Sequence, residues 1–129
     1  MASTPAFAST PRVGSGTSPG TIDTSLTGPT NYTSILTGGS SGTKINEIVL
    51  QGVATTSAGV ANIFLHDGSN WSLVDQVLVS AVTSSTTAVA FRAVRQYANL
   101  VLPSNSWTLR VSVTVGTSQL RVTAYGADL

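Results

Sequence analysis

His66, the only histidine, stands directly before Asp67, and such a pair is where acid–base chemistry would first be sought. A hydrolytic triad needs in addition a serine presented on a strained strand-to-helix elbow, with histidine and acid converging from elsewhere. No segment has the apolar period of a helix to complete such an elbow. His66 therefore reads as a turn histidine whose ring caps a backbone group or stacks on Trp71. The acids Asp23, Glu47, Asp67, Asp75 and Asp128 are isolated from one another. A calcium loop clusters oxygens at alternate positions, and His66-Asp67-Gly68-Ser69-Asn70 offers only one carboxylate. No two acids pair as a glycosidase would require. The expectation is a non-enzymatic chain with no catalytic residues, no cofactor and no metal. Gly14-Ser15-Gly16 and Gly38-Gly39 lack the lysine and the strand-to-helix setting of a phosphate loop and read as linker glycine.

The aromatic residues offer recognition rather than catalysis. Trp71, Trp107, Tyr97 and Tyr125 are of the types that stack on sugar rings. In a small sandwich such residues more often fill the core or stand at strand ends with a wet polar tip. Trp71 and Trp107 each open a strand directly after a turn, a rim position. Trp71, Trp107 and Tyr97 are thus the candidates for surface recognition.

The elements that must carry these residues are set by an unusual composition. Only 9% of the 129 residues are charged, against about 25% in an average soluble protein. The formal net charge is +1, which gives little protection from self-association and favours a surface packed against partners. Arg12, Lys44, Arg92, Arg95, Arg110 and Arg121 are scattered, unlike the clustered bases of nucleic-acid binders. Without cysteine, neither a disulfide nor a thiolate zinc site is available. Neither a signal peptide nor an apolar run long enough to cross a bilayer is expected. The sequons at Asn31 and Asn70 then read as chance.

Residues 1–42 are rich in Ser, Thr, Gly and Pro, with Pro5, Pro11, Pro19 and Pro29 spaced against any helix or central strand. They read as an extended arm. Phe7, Val13, Ile22, Leu26, Tyr32, Ile35 and Leu36 recur along it, and purely solvating tails are poor in such residues. They are expected to be anchors laid across neighbouring subunits. Residues 43–129 alternate short apolar runs with polar punctuation, as an antiparallel sandwich or barrel does. Strands are expected at Tyr32–Thr37, Lys44–Val53, Val60–His66, Trp71–Ser80, Thr87–Arg95, Tyr97–Leu102, Trp107–Val115 and Gln119–Gly126. Asp67-Gly68 and Ser69-Asn70 supply the turn of a hairpin between the Val60 and Trp71 strands. Leu109, Val111, Val113 and Val115 alternate with polar residues, as do Leu120, Val122 and Ala124. The intervening Gly116-Thr117-Ser118 suggests a second hairpin. Ile63-Phe64-Leu65 and Val77-Leu78-Val79 are apolar on both faces and are expected to be central or covered by another chain. The expected fold is all-β, a single antiparallel β-sandwich or jelly-roll-like barrel of about seven or eight short strands, preceded by an extended N-terminal arm.

Ile63-Phe64-Leu65-His66-Asp67-Gly68-Ser69-Asn70-Trp71, Leu102-Pro103-Ser104-Asn105-Ser106-Trp107-Thr108-Leu109-Arg110-Val111 and the closing Ala124-Tyr125-Gly126-Ala127-Asp128-Leu129 carry a resemblance. With the Ser/Thr/Gly/Pro arm, the chain resembles the small decoration, or cement, proteins of tailed-phage heads. The resemblance implies a virion component on the outside of the capsid, commonly a homotrimer, with the major capsid protein as partner and neither nucleic acid nor membrane. A clamp supplied by the arm would stabilise the assembled shell by mass action. The alternative is a glycan- or receptor-binding module of a head fibre, tail fibre or baseplate, with the arm as tether.

Overall fold

The computed structural model describes residues 10–115 and 118–129, and all its regular structure is strand. There are eight: β1 (Thr10–Thr17), β2 (Thr33–Thr37), β3 (Thr43–Gly52), β4 (Gly59–His66), β5 (Trp71–Val79), β6 (Arg92–Leu102), β7 (Thr108–Val113) and β8 (Leu120–Asp128). They form two four-stranded antiparallel sheets, β1-β8-β3-β6 and β2-β7-β4-β5. First pairs with last, second with seventh, third with sixth and fourth with fifth. That is an antiparallel ribbon wrapped on itself, the jelly-roll arrangement of a double sheet. The inward rows meet in one core, built from Ile45, Ile48 and Leu50 of the first sheet against Ile63, Leu109 and Val111 of the second.

Alternation specified faces correctly. Leu109, Val111 and Val113 are buried, as are Leu120, Val122 and Ala124, whereas Val115 lies past the end of β7 and is 36% exposed. Their partners are a different matter, for β7 and β8 do not form a hairpin. β7 lies between β2 and β4, whereas β8 lies between β1 and β3 in the other sheet. Two amphipathic strands can each bury an apolar row by facing one another across the core, and the intervening turn then changes sheets. The β4–β5 hairpin does form, with Asp67–Asn70 as its turn and Gly68 at φ 102°. It is the one connection that stays within a sheet.

The boundary at residues 42 and 43 is not a structural one. From Thr10 onward the expected arm is part of the sandwich, because β1 pairs with β8 along its full length and β2 pairs with β7. Pro11 is tolerated since β1 is an edge strand with one unpaired side. Gly14 and Gly16 are contact surfaces rather than linker. A Cβ on Gly14 would meet the Ile35 carbonyl oxygen and lie 2.8 Å from Leu36 Cβ, and one on Gly16 would lie 2.7 Å from Thr33 Cγ2. Their missing side chains let β1 and β2 close one side of the sandwich. Ile35 and Leu36 consequently belong to the chain's own core. The ion pair of Arg12 with Asp128, 2.9 Å, ties the start of β1 to the end of β8, and Arg12 also donates to the Thr37 carbonyl.

β6 is one strand of 11 residues, not two. Pairing with β3 shifts between Ile45 and Glu47, so that Leu100 and Gln96 become successive partners across a bulge. Tyr97, Ala98 and Asn99 fall in that irregularity, where strict alternation lapses and the sequence mimics a strand end. Residues 80–91, expected to start a strand at Thr87, are instead a loop before Arg92.

Gly14→Val is expected to lower stability by about 1–3 kcal/mol through overpacking against Ile35 and Leu36. Deletion of residues 1–42 should yield an unfolded chain, since it removes two strands; a cooperative unfolding transition for that truncation, seen by circular dichroism, would contradict the strand pairing.

Candidate interaction surfaces

Trp71 opens β5 and is the hub of a ring cluster on the outer face of the second sheet. Its centroid lies 5.0 Å from Tyr32, 5.4 Å from Phe64 and 4.7 Å from His66, all near edge-on. The Arg110 guanidinium sits 4.4 Å from the Tyr32 centroid and 4.9 Å from that of Trp71, each contact contributing about 0.5–1 kcal/mol. Arg110 occupies the polar row of an alternating strand, opposite Phe64. No motif in the sequence marks that role.

Tyr32 and Gly28 belong to the connection between β1 and β2, which folds back over this face. Asp23 donates its amide to the Val113 carbonyl, Pro29 is buried and Gly28 lies beside Trp71. The connection is held in shape by Asp23, whose carboxylate accepts the amides of Ser25, Thr30 and Asn31 at 2.9, 2.8 and 3.1 Å. Those amides hold its carboxyl below its ordinary range. Phe64 is accordingly covered from outside by the chain itself. Beneath the same cover Asn62 and Ser112 are fully buried. Asn62 Nδ2, Ser112 Oγ and Arg110 Nε have no partner among the described residues.

His66 behaves as a turn histidine. Its Nδ1 accepts the Gly68 amide at 3.1 Å while its ring packs on Trp71. Desolvation first, then the nearby Arg110 charge, lowers its pKa below the ordinary value. Asp67 caps the turn by accepting the amides of Asn70 and Ser69 at 2.7 and 2.8 Å, which hold its carboxyl down. Two stretches spell G-x-S-x-G, Gly16–Gly20 at the end of β1 and Gly38–Gly42 in the β2–β3 connection, and neither leads into a helix. Ser18 Oγ is taken by the Leu120 amide. No group of three potential metal ligands exists among the described residues.

The three residues expected at a common recognition surface are not brought together. Trp71 is on the outer face, whereas Trp107 and Tyr97 pack their rings against the core. The Tyr97 hydroxyl donates to Asp75 Oδ2 at 2.8 Å, and the same oxygen meets Arg95 Nε at 3.3 Å. This group ties β6 to β5 where the two sheets stand open. Burial first, and then the hydrogen bond and charge of Asp75, push the Tyr97 hydroxyl well above its ordinary value of 10.0.

The expected arm anchors are equally dispersed. Ile35 is core, Tyr32 joins the ring cluster, and Ile22 and Leu26 lie exposed on the β1–β2 connection. Phe7 falls outside the described residues. Val13 stands on the outer face of the first sheet, a wall with cross-strand rows. One row is Val13, Tyr125, Glu47 and Gln96, the next Ser15, Thr123, Val49 and Val94, the next Thr17, Arg121, Gln51 and Arg92. Val13 is 61% exposed and Tyr125 and Val94 each 43%, while Val49, paired with Val94, is only 6% exposed. No family model, curated protein or solved structure matches the chain.

Trp71→Ala should cost about 3 kcal/mol by opening the ring cluster. Ser112→Ala should gain about 1 kcal/mol by removing an unpaired buried hydroxyl; a loss in urea unfolding would mean that the hydroxyl has a partner. The pH profile follows from the ionisations. The lowered pKa values of His66, Asp23 and Asp67 mean that the unfolded chain takes up protons first, so stability falls on acidification. That fall starts near the ordinary histidine value of 6.5 and continues through the carboxylate value of 3.8. The raised Tyr97 pKa means that the unfolded chain loses its proton first, so stability also falls above pH 10.0. Tyr97→Phe should flatten that alkaline limb in a pH series of thermal melts.

Proposed function

We propose that the chain is a non-enzymatic structural protein of a phage virion, a decoration or cement protein seated on the outer surface of the head. Its partners in this reading are the major capsid protein and further copies of itself, as a homotrimer. The observation that supports it is the outer wall of the first sheet, where Val13, Tyr125 and Val94 stand exposed in adjacent rows of a chain with only 9% charged residues. A wall of that kind gains by being covered. The jelly roll recurs in viral capsid domains and in lectins, an analogy of fold that agrees with the reading without carrying it. Binding only the assembled shell would stabilise it by mass action, with no chemistry required. Because residues 10–42 belong to the sandwich, the clamp is assigned to this wall rather than to a 42-residue arm.

Co-sedimentation with heads stripped of this protein tests the reading. The full chain should bind to saturation, and Val13→Lys combined with Val94→Lys should abolish binding while leaving the melting temperature near that of the wild type. Absence of binding by the full chain, or sedimentation as a monomer at high concentration, would overturn it. The alternative of a glycan-binding module rests on Trp71 and its neighbour Arg110, since Trp107 and Tyr97 are turned toward the core. A glycan-array signal that disappears in Arg110→Gln would favour that alternative.

A further inference from the structure

The charges of this chain are not distributed as its net value suggests. Asp75 and Asp128 are consumed by Arg95 and Arg12, while Asp23 and Asp67 are saturated by backbone amides of their own turns. Arg92 and Arg121 have no carboxylate within ion-pair distance among the described residues. They stand in one row of the outer wall with Gln51 between them, about 10 Å apart at two strand spacings. Both are braced by neutral groups. Arg92 donates to Gln51 Oε1 at 3.2 Å, and Arg121 donates to Ser15 Oγ and Thr17 Oγ1 at 2.8 and 3.1 Å. Bracing of this kind orients a guanidinium without neutralising it.

Arg92 and Gln51 also line a cleft of about 710 Å³, whose other wall is the Ser84–Ala90 stretch of the β5–β6 loop. That loop presents the hydroxyls of Ser84, Ser85, Thr86 and Thr87, and beside them Val89, which is 89% exposed. β6 is the terminal strand of its sheet, so among the described residues no other strand pairs with the backbone edge beside Arg92. Among the described residues no aromatic ring lines the cleft, which gives a sugar or a base no ring to stack on there. An unneutralised guanidinium suits a carboxylate, the strand edge suits an extended backbone, and Val89 suits an apolar side chain between carboxylates.

We infer that this cleft is a binding site for an extended acidic peptide segment of a partner protein, a carboxylate directed at Arg92 and the peptide backbone laid along the open edge of β6. The site stands apart from the capsid reading: it needs only a partner with an acidic strand. The test is a titration of the 15N-labelled full chain with a short peptide alternating glutamate and valine, and with its lysine–valine counterpart. Amide shifts should be confined to Gln51, the Ser84–Ala90 loop and the first half of β6, and appear only with the acidic peptide. Arg92→Gln should weaken binding by at least about ten-fold, the weight of one charge-assisted pair. Val89→Ser, on the exposed loop, should weaken it independently. Shifts spread over all basic residues, equal response to the lysine peptide, or unchanged affinity in both variants would overturn the inference. Head co-sedimentation is read separately, so either idea can fail without the other.

Discussion

The pairing of β1 with β8 is the constraint on which the rest of this fold depends. It holds the first described strand against the last through an unbroken register from Thr10 with Asp128 to Thr17 with Arg121. It completes the wall that carries Val13, Tyr125 and Val94. It also fixes where β2 must lie, because Gly14 and Gly16 leave room for the backbone of residues 33–36 and for nothing larger. At its far end Asp128 gathers Arg12 and the Thr43 hydroxyl, at 2.9 and 2.6 Å, while Thr43 accepts the Gly39 amide. Four strands or connections thus converge on a single carboxylate.

The charge-poor composition is managed by the same geometry. Polar side chains are spent on backbone groups that shape loops: Asp23 sets the β1–β2 connection, Asp67 the hairpin turn, and Thr56 joins the Ser80 and Val82 backbone near the β5–β6 loop. What remains outside is hydroxyl, amide, scattered apolar surface and a few arginines. Such a surface gains little from water and has few charges to repel a neighbour. The ring cluster of Trp71, Tyr32, Phe64 and Arg110 is best understood as the seal that fastens the β1–β2 connection onto the second sheet.

Much of this was legible in the sequence, and what was not has physical causes. Period-two alternation in residues 109–113 and 120–124 determines which side chains face inward, because that depends on the strand alone. It does not determine which strand lies alongside, so the same pattern served equally for a hairpin and for facing sheets. The His66–Asn70 turn was readable because its capping bonds are local. β1 was invisible because its strand character is borrowed. Pro11, Gly14, Ser15 and Gly16 have no propensity for sheet, and β8 with the close approach to β2 overrides that. The Arg92 cleft was hidden for a related reason: residues 87–91 have the composition of a strand but lie beyond the end of the pairing with β3.

The ribbon topology also orders events in time. Arg12 and Asp128 are 116 residues apart in sequence, and β8 is the last of the described strands to be synthesised. During translation β1 therefore lacks its β8 partner until residues 120–128 have left the ribosome, whereas the β4–β5 hairpin can close as soon as it emerges. For most of its synthesis the nascent chain presents unpaired strand edges, β1 and the flank of β3 that β8 will later cover. The long-range closure that completes the sandwich is thus also the step at which a crowd of identical nascent chains is most exposed to pairing with one another.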